Sequence, residues 1–91
     1  MLAINLSHDT HKFLRRVPTK HAKQIVRKIY ALAENPFPQD SAQLRSHEEY
    51  RRADVGEYRI VYRLSSSTLS IPLIGKRNDD EVYRRMKRMF G

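Results

Sequence analysis

Two hydrophobic rhythms divide the chain near its middle: apolar side chains first recur every three or four positions, then from Leu44 onward they alternate. Ala3-Ile4-Asn5-Leu6 predicts a short opening strand. Ser7 suits the N-cap of a first short helix, because its hydroxyl can accept an otherwise unpaired backbone N–H. That helix carries Phe13 and Leu14, with Val17 close behind. Pro18 suits the first turn of a second helix, where a missing N–H costs nothing. Ala22, Ile25, Val26, Ile29, Leu32 and Ala33 then share one helical face, and Lys20, Lys23, Arg27 and Lys28 lie largely off it. Asn35-Pro36-Phe37-Pro38 ends the helix, since proline disfavours helical backbone in the residue before it. A loop follows to about Gln43.

In Glu57 to Leu64 the period is two. Tyr58, Ile60, Tyr62 and Leu64 alternate with Arg59, Val61 and Arg63, which predicts a strand with one apolar and one partly charged face. Val55-Gly56-Glu57 supplies a tight turn before it, and Ser65-Ser66-Ser67 a loop after it. Thr68 to Ile74 forms the next strand. Pro72 inside it cannot donate to the ladder, so it implies an edge, a bulge or an N–H pointing away from any neighbour. Asn78-Asp79-Asp80-Glu81 reads as a helix start, with Asn78 as cap, Glu81 reaching back, and acids at the positive end of the dipole. On the helix that follows, Val82, Met86, Met89 and Phe90 make an apolar stripe. The order gives an α+β domain: a small antiparallel β-sheet with an N-terminal helix pair and a C-terminal helix packed on it, βααβββα.

Length and composition narrow the picture further. Ninety-one residues read as one domain, 1–91, with a thin core. There are no cysteines, so disulfides and thiolate metal sites are excluded. The chain shows no leader and no apolar run of roughly 20 residues, so a cytoplasmic protein away from membranes is expected. Charge changes the picture most. Eighteen Lys and Arg against ten Asp and Glu give a net charge of +8 and a pI near 10.2. Such a field attracts polyanions, nucleic acid first among them.

Two blocks carry the candidate chemistry. Tyr50-Arg51-Arg52-Ala53-Asp54-Val55-Gly56-Glu57-Tyr58-Arg59-Ile60-Val61-Tyr62 resembles the central hairpin of RelE-type toxins, within the RelE/ParE superfamily. Gly75-Lys76-Arg77-Asn78-Asp79-Asp80-Glu81-Val82-Tyr83 resembles their strand end and C-terminal segment, at a fitting distance. Leu44-Arg45 resembles the start of the family's second strand, so the resemblance covers nearly the whole chain. It implies a toxin of a type II toxin–antitoxin system, a ribosome-dependent endoribonuclease that cleaves mRNA in the A site. The ribose 2′-hydroxyl attacks the adjacent phosphate to leave a 2′,3′-cyclic phosphate, with no metal or organic cofactor. Expected partners are mRNA on the ribosome, with 16S rRNA around the A site, and a cognate antitoxin.

In-line attack gathers negative charge on phosphorus, which fixed guanidiniums meet well because they stay charged and pair bidentately with phosphate oxygens. Arg59 and Arg77 match the family arginines and are assigned to that role. Tyr83 matches the family tyrosine, to orient or deprotonate the 2′-hydroxyl or to stack on a base. A phenol with pKa ~10 needs neighbouring arginines to act as a base at neutral pH. Arg52, the fourth catalytic candidate, can hold phosphate or supply the leaving-group proton. Holding is favoured, because arginine gives up its proton reluctantly. Arg45, Arg51, Lys76 and Lys87 are expected to contact RNA phosphates. RelE itself has two lysines at alternate positions where this chain has Arg51-Arg52-Ala53-Asp54, which leaves the general acid open; Asp54 can tether Arg52 by a salt bridge.

Competing readings are simpler for several residues. Tyr58 and Tyr62 suit a core better than catalysis. His8, His11, His21 and His47 lie outside the matched blocks, with His47 the best placed for acid–base work. Helix capping accounts for Asp79-Asp80-Glu81 without a metal. The apolar stripe of the last helix fits packing on the sheet, with antitoxin docking as the alternative. Two rival functions remain: a ParE-like toxin that inhibits DNA gyrase without cutting RNA, and a non-enzymatic RNA-binding module.

Overall fold

Where the chain enters its first helix, one serine sets the geometry of two elements. The computed structural model describes residues 1–78 and 80–90. Strand β1 (Ala3–Leu6) ends at Ser7, whose hydroxyl caps helix α1 (His8–Arg16) by accepting the Thr10 N–H at 3.0 Å. The same hydroxyl donates to the Pro72 carbonyl at 2.6 Å, and the fully buried Thr10 hydroxyl donates to the Ile71 carbonyl at 2.8 Å. The cap therefore also docks α1 onto the sheet. Pro18 occupies the N-cap of α2 (Thr19–Glu34) rather than its first turn, and its carbonyl accepts the Ala22 N–H. Asn35 ends α2 as the two following prolines require.

The sheet has the order β1-β5-β4-β3-β2, with β2 at Ser41–Gln43, β3 at Arg51–Val55, β4 at Tyr58–Ser65 and β5 at Thr68–Lys76. Four strands pair antiparallel, but β1 lies parallel to β5, so the sheet is mixed rather than wholly antiparallel. The helix pair carries the chain from β1 at one edge to β2 at the other, and three successive antiparallel connections then bring β5 back beside β1 in the same direction. Strand β2 falls inside the expected loop, and Leu44-Arg45 lie in the turn after it rather than at a strand start.

Gly56, at φ +56°, takes the first position of the two-residue turn between β3 and β4, a backbone angle that side chains disfavour. Pro72 sits on an interior strand, and the register shift between Val61 and Arg63 places it in a β-bulge. It also lies beyond the last β1 pair, Leu6 with Ile71, so no ladder bond is lost to the missing N–H.

Both faces of the sheet are covered, by different partners. On one, Tyr58, Ile60, Tyr62, Ile71 and Ile74 pack with Ile25, Ile29, Leu32 and Ala33 of α2. Val26, expected in that stripe, is instead exposed at its rim. On the other, Val61 and Leu73 meet Leu44, Tyr50 and the buried Val82 and Met86 of α3 (Glu81–Phe90). Helix α3 is held through the Arg85 guanidinium: one nitrogen donates to the Ile74 carbonyl at 2.8 Å, and another pairs with Asp9 of α1. A Cβ at Gly75 would fall 2.5 Å from Glu81 Oε2 and 3.0 Å from Val82 Cγ1, so this glycine admits the start of α3 to the sheet.

The helix start itself differs from expectation. Asp80, at φ +51°, precedes Glu81 and its carbonyl accepts the Arg84 N–H, so Asn78 is not the cap. The Glu81 carboxylate turns to the sheet instead, accepting the Lys76 N–H at 2.7 Å. Asp79 lies outside the described residues.

Candidate active site

Strand alternation decides which basic residues can meet. Asp54 of β3 and Arg59 of β4 are directly opposite in the ladder, and Gly75 of β5 is opposite Arg59 on the other side. Residues directly opposite share a face, as do residues two apart on one strand. Arg52 therefore joins Asp54, and Arg77, just past β5, joins the same row. Helix α3 packs on Val61 and Leu73 of this face and starts against Gly75, and a cavity lined by Arg59 and Arg77 lies at the end near the β3–β4 turn.

Three guanidiniums converge on the single Asp54 carboxylate. Arg59 grips it with two nitrogens, Nε to Oδ1 at 2.8 Å and Nη2 to Oδ2 at 3.4 Å. Arg77 Nε lies 3.4 Å from Oδ2, and Arg52 Nη1 3.8 Å from it. Arg77 is further fixed by Nη1 donating to the Gly56 carbonyl at 3.1 Å and by its backbone N–H donating to the Glu57 carbonyl. Burial pushes the Asp54 carboxyl up, but the Arg59 hydrogen bond and the charges of Arg59, Arg77 and Arg52 outweigh it, leaving its pKa lowered. Arg59 is raised in turn, first by its hydrogen bond to Asp54, against the opposing effect of burial; the Asp54 charge and then Tyr83 and Asp80 add to the rise. Tyr83 thus lies within electrostatic reach of Arg59.

The sign of the Asp54 shift fixes a pH dependence. Its carboxylate stabilises the fold fully above the unfolded value near 3.8, and that contribution is lost as pH falls through the lower folded value. Between about pH 5 and pH 2, wild-type melting temperature should fall more steeply than that of Asp54→Asn. Parallel slopes in thermal melts would show that the cluster contributes nothing to stability.

Two cavities are lined by the candidate residues. One, of about 520 Å³, is lined by Glu57, Arg59, Lys76, Arg77 and Asn78. Lys76 contributes from the strand end, although its register partner Tyr58 belongs to the opposite face. The other, of about 330 Å³, is lined by Arg45, Ser46, His47, Tyr83 and Lys87. Arg45 lies over the Tyr83 ring, 4.4 Å from its centroid, an arrangement that presents a flat cationic and aromatic surface. Its 3.9 Å pair with Asp80 is solvent-exposed and contributes little.

Arg51 stands apart from this group. It shares a face with Tyr62, donating Nε to the Tyr62 hydroxyl at 3.3 Å and Nη2 to Ser41 Oγ at 2.8 Å, with Phe37 4.8 Å from its guanidinium carbon. There it ties the segment after α2 to the sheet, away from the cluster. Tyr58 and Tyr62 are core residues: the Tyr58 hydroxyl lies 2.6 Å from His21 Nδ1, and the Tyr62 hydroxyl donates to the Pro36 carbonyl at 2.6 Å. Desolvation raises the Tyr58 pKa, with the Glu57 charge adding to it. No histidine touches the arginine cluster among the described contacts; His47 lines the second cavity, with Nδ1 buried and unpartnered. Among the described residues no three His, Cys, Asp or Glu are placed to hold a metal ion, and no helix is long and apolar enough to cross a membrane.

Comparison with known proteins agrees with this architecture. Residues 4–81 match the family model described as the ParE toxin of the type II toxin–antitoxin system parDE. The chain belongs to the RelE/ParE toxin superfamily. No match is found among curated protein sequences. Solved members of the superfamily share the fold at low identity. The isolated E. coli RelE toxin superposes with a TM-score of 0.73 at 20% identity, over 99% of this chain and 100% of that one. An archaeal RelE–RelB complex from Pyrococcus horikoshii gives 0.75 at 20% identity, over 86% and 97%. YafQ from E. coli gives 0.68 at 20% identity, over the whole of both chains. The superfamily fold is α+β, as the alternating rhythms of the sequence require.

Proposed function

We propose that this chain is the toxin of a type II toxin–antitoxin pair and acts as a ribosome-dependent endoribonuclease on mRNA. The observation that supports the reading best is the row of three guanidiniums, Arg52, Arg59 and Arg77, gathered on one sheet face with Tyr83 within electrostatic reach of Arg59. In that reading Arg59 and Arg77 hold the non-bridging oxygens of a scissile phosphodiester and neutralise the charge that accumulates in the transition state. Tyr83 orients the ribose 2′-hydroxyl and removes its proton; the 2′-oxygen bonds to phosphorus, and the bond to the 5′-oxygen breaks as that oxygen takes up a proton. The products are a 2′,3′-cyclic phosphate and a 5′-hydroxyl end. Arg52 holds phosphate, and Arg45 and Lys87 position neighbouring nucleotides around the second cavity. Lys76 contributes charge at the mouth of the first. Arg51 takes no part.

The antitoxin partner is proposed on the same footing, as an acidic segment that neutralises the basic face; the archaeal relative was solved as RelE with RelB. Val82 and Met86 are buried in the chain's own second core, so the α3 stripe offers such a partner only Met89 and Phe90.

The match to the ParE model favours a second reading, inhibition of DNA gyrase without RNA cleavage. One pair of assays separates them. Brief induction followed by mapping of transcript ends should show new 5′-hydroxyl ends at fixed codon positions, while purified gyrase supercoils DNA normally. Blocked supercoiling with intact transcripts would establish the gyrase reading instead.

A further inference from the structure

The arginine cluster is not an empty anion site, because the protein supplies an anion of its own. Three positive charges face one carboxylate, and the carboxylate is gripped by the two-nitrogen fork through which a guanidinium also takes a phosphate. An ordinary structural ion pair needs one guanidinium. Here the partners come from β3, β4 and the segment after β5, and Asp54 is the one carboxylate the described contacts place between them. Without it, three like charges would face one another across a narrow row and spread apart. With it, the least exposed of the three side chains, that of Arg59 at 14%, is already engaged through its fork.

We propose that Asp54 is an internal stand-in for the substrate phosphate: it keeps Arg52, Arg59 and Arg77 gathered when the cleft is free, and releases the Arg59 fork to the non-bridging oxygens of an incoming phosphodiester. This rests on the proposed function only in naming RNA as the source of that phosphodiester. The carboxylate has the same two-oxygen face as a phosphate diester, so exchange requires no rearrangement of the sheet. Arg77, with 53% of its side chain exposed, meets the arriving anion first. Arg59 follows as Asp54 turns aside. Asp54 is thus a positioning residue that lowers the site's affinity for phosphate while preserving its shape. The lowered pKa of its carboxyl keeps it charged throughout the neutral range.

The test is a titration of inorganic phosphate into the full chain, followed through the arginine Nε–H signals by NMR. Asp54→Asn should bind phosphate about tenfold more tightly than wild type, as expected for removing one competing charge at contact distance. Equal or weaker binding by the variant would overturn the proposal, since a carboxylate that only braces the arginines leaves a looser site when removed. If Asp54→Asn does not fold, Asp54→Ser is read the same way. Should neither fold, wild type decides: the Arg59 signal must shift as phosphate saturates the site, and an unmoved signal refutes the exchange. None of these readouts uses a ribosome or a transcript, so loss of the nuclease reading would leave them intact.

Discussion

Arg77→Ala should lower transcript cleavage by about 100- to 1000-fold, the usual effect of removing one donor from a developing oxyanion. Among the described residues its side chain pairs with the Asp54 carboxylate and the Gly56 carbonyl, and half of it is in solvent. Thermal stability should therefore stay close to wild type. Arg77→Lys should recover little, because an ammonium cannot reproduce a planar fork on two phosphate oxygens. Tyr83→Phe is the companion variant: the ring remains under Arg45 while the hydroxyl is lost. If the phenol moves the 2′-proton, this variant should also fall by about two orders of magnitude with its melting curve unchanged. Primer extension on transcripts from induced cells would measure both. Full cleavage by the two variants would remove the arginine row and the phenol from the chemistry.

Tyr62→Ala should unfold much of the protein at growth temperature. The ring is completely buried in the core beneath α2, and its hydroxyl donates to the Pro36 carbonyl while accepting from Arg51. Truncating a large buried aromatic costs about 3–5 kcal/mol, against a total stability of about 5–15 kcal/mol for a domain. Tyr62→Phe keeps the volume but leaves the Pro36 carbonyl and Arg51 Nε without that partner, at about 1–3 kcal/mol. Urea denaturation should rank wild type, Phe and Ala in that order. A midpoint for the Ala variant near wild type would mean that the core repacks around the loss.

Much of the scaffold was legible because its signals are local. The cap at Ser7, the stop at Asn35 and the alternation from Tyr58 to Leu64 each depend on a few neighbouring residues, and each stands where the sequence places it. What escaped depends on distant partners. Ser41-Ala42-Gln43 has no rhythm of its own and becomes a strand only because β3 offers an unpaired edge. The parallel pairing of β1 with β5, and the second core under α3, likewise arise from contacts across most of the chain.

The candidate site shows the same division. Parity along β3 already separates Arg51 from Arg52: Ala53 points to the core, so Arg51 must follow it and Arg52 must oppose it. Sequence spacing pairs Asp54 with Arg52, whereas the ladder sets it opposite Arg59, which it binds at 2.8 Å against 3.8 Å for Arg52. Only the register of the hairpin could reveal that preference.

Gly75 stands opposite Arg59 in the ladder and against the start of the last helix. A single methyl group there would push Glu81 Oε2 away from the Lys76 N–H it accepts and would press on Val82 Cγ1. Tyr83 is the next residue along. The bare hydrogen at position 75 thus leaves room for the carboxylate latch at the start of the helix that carries the phenol.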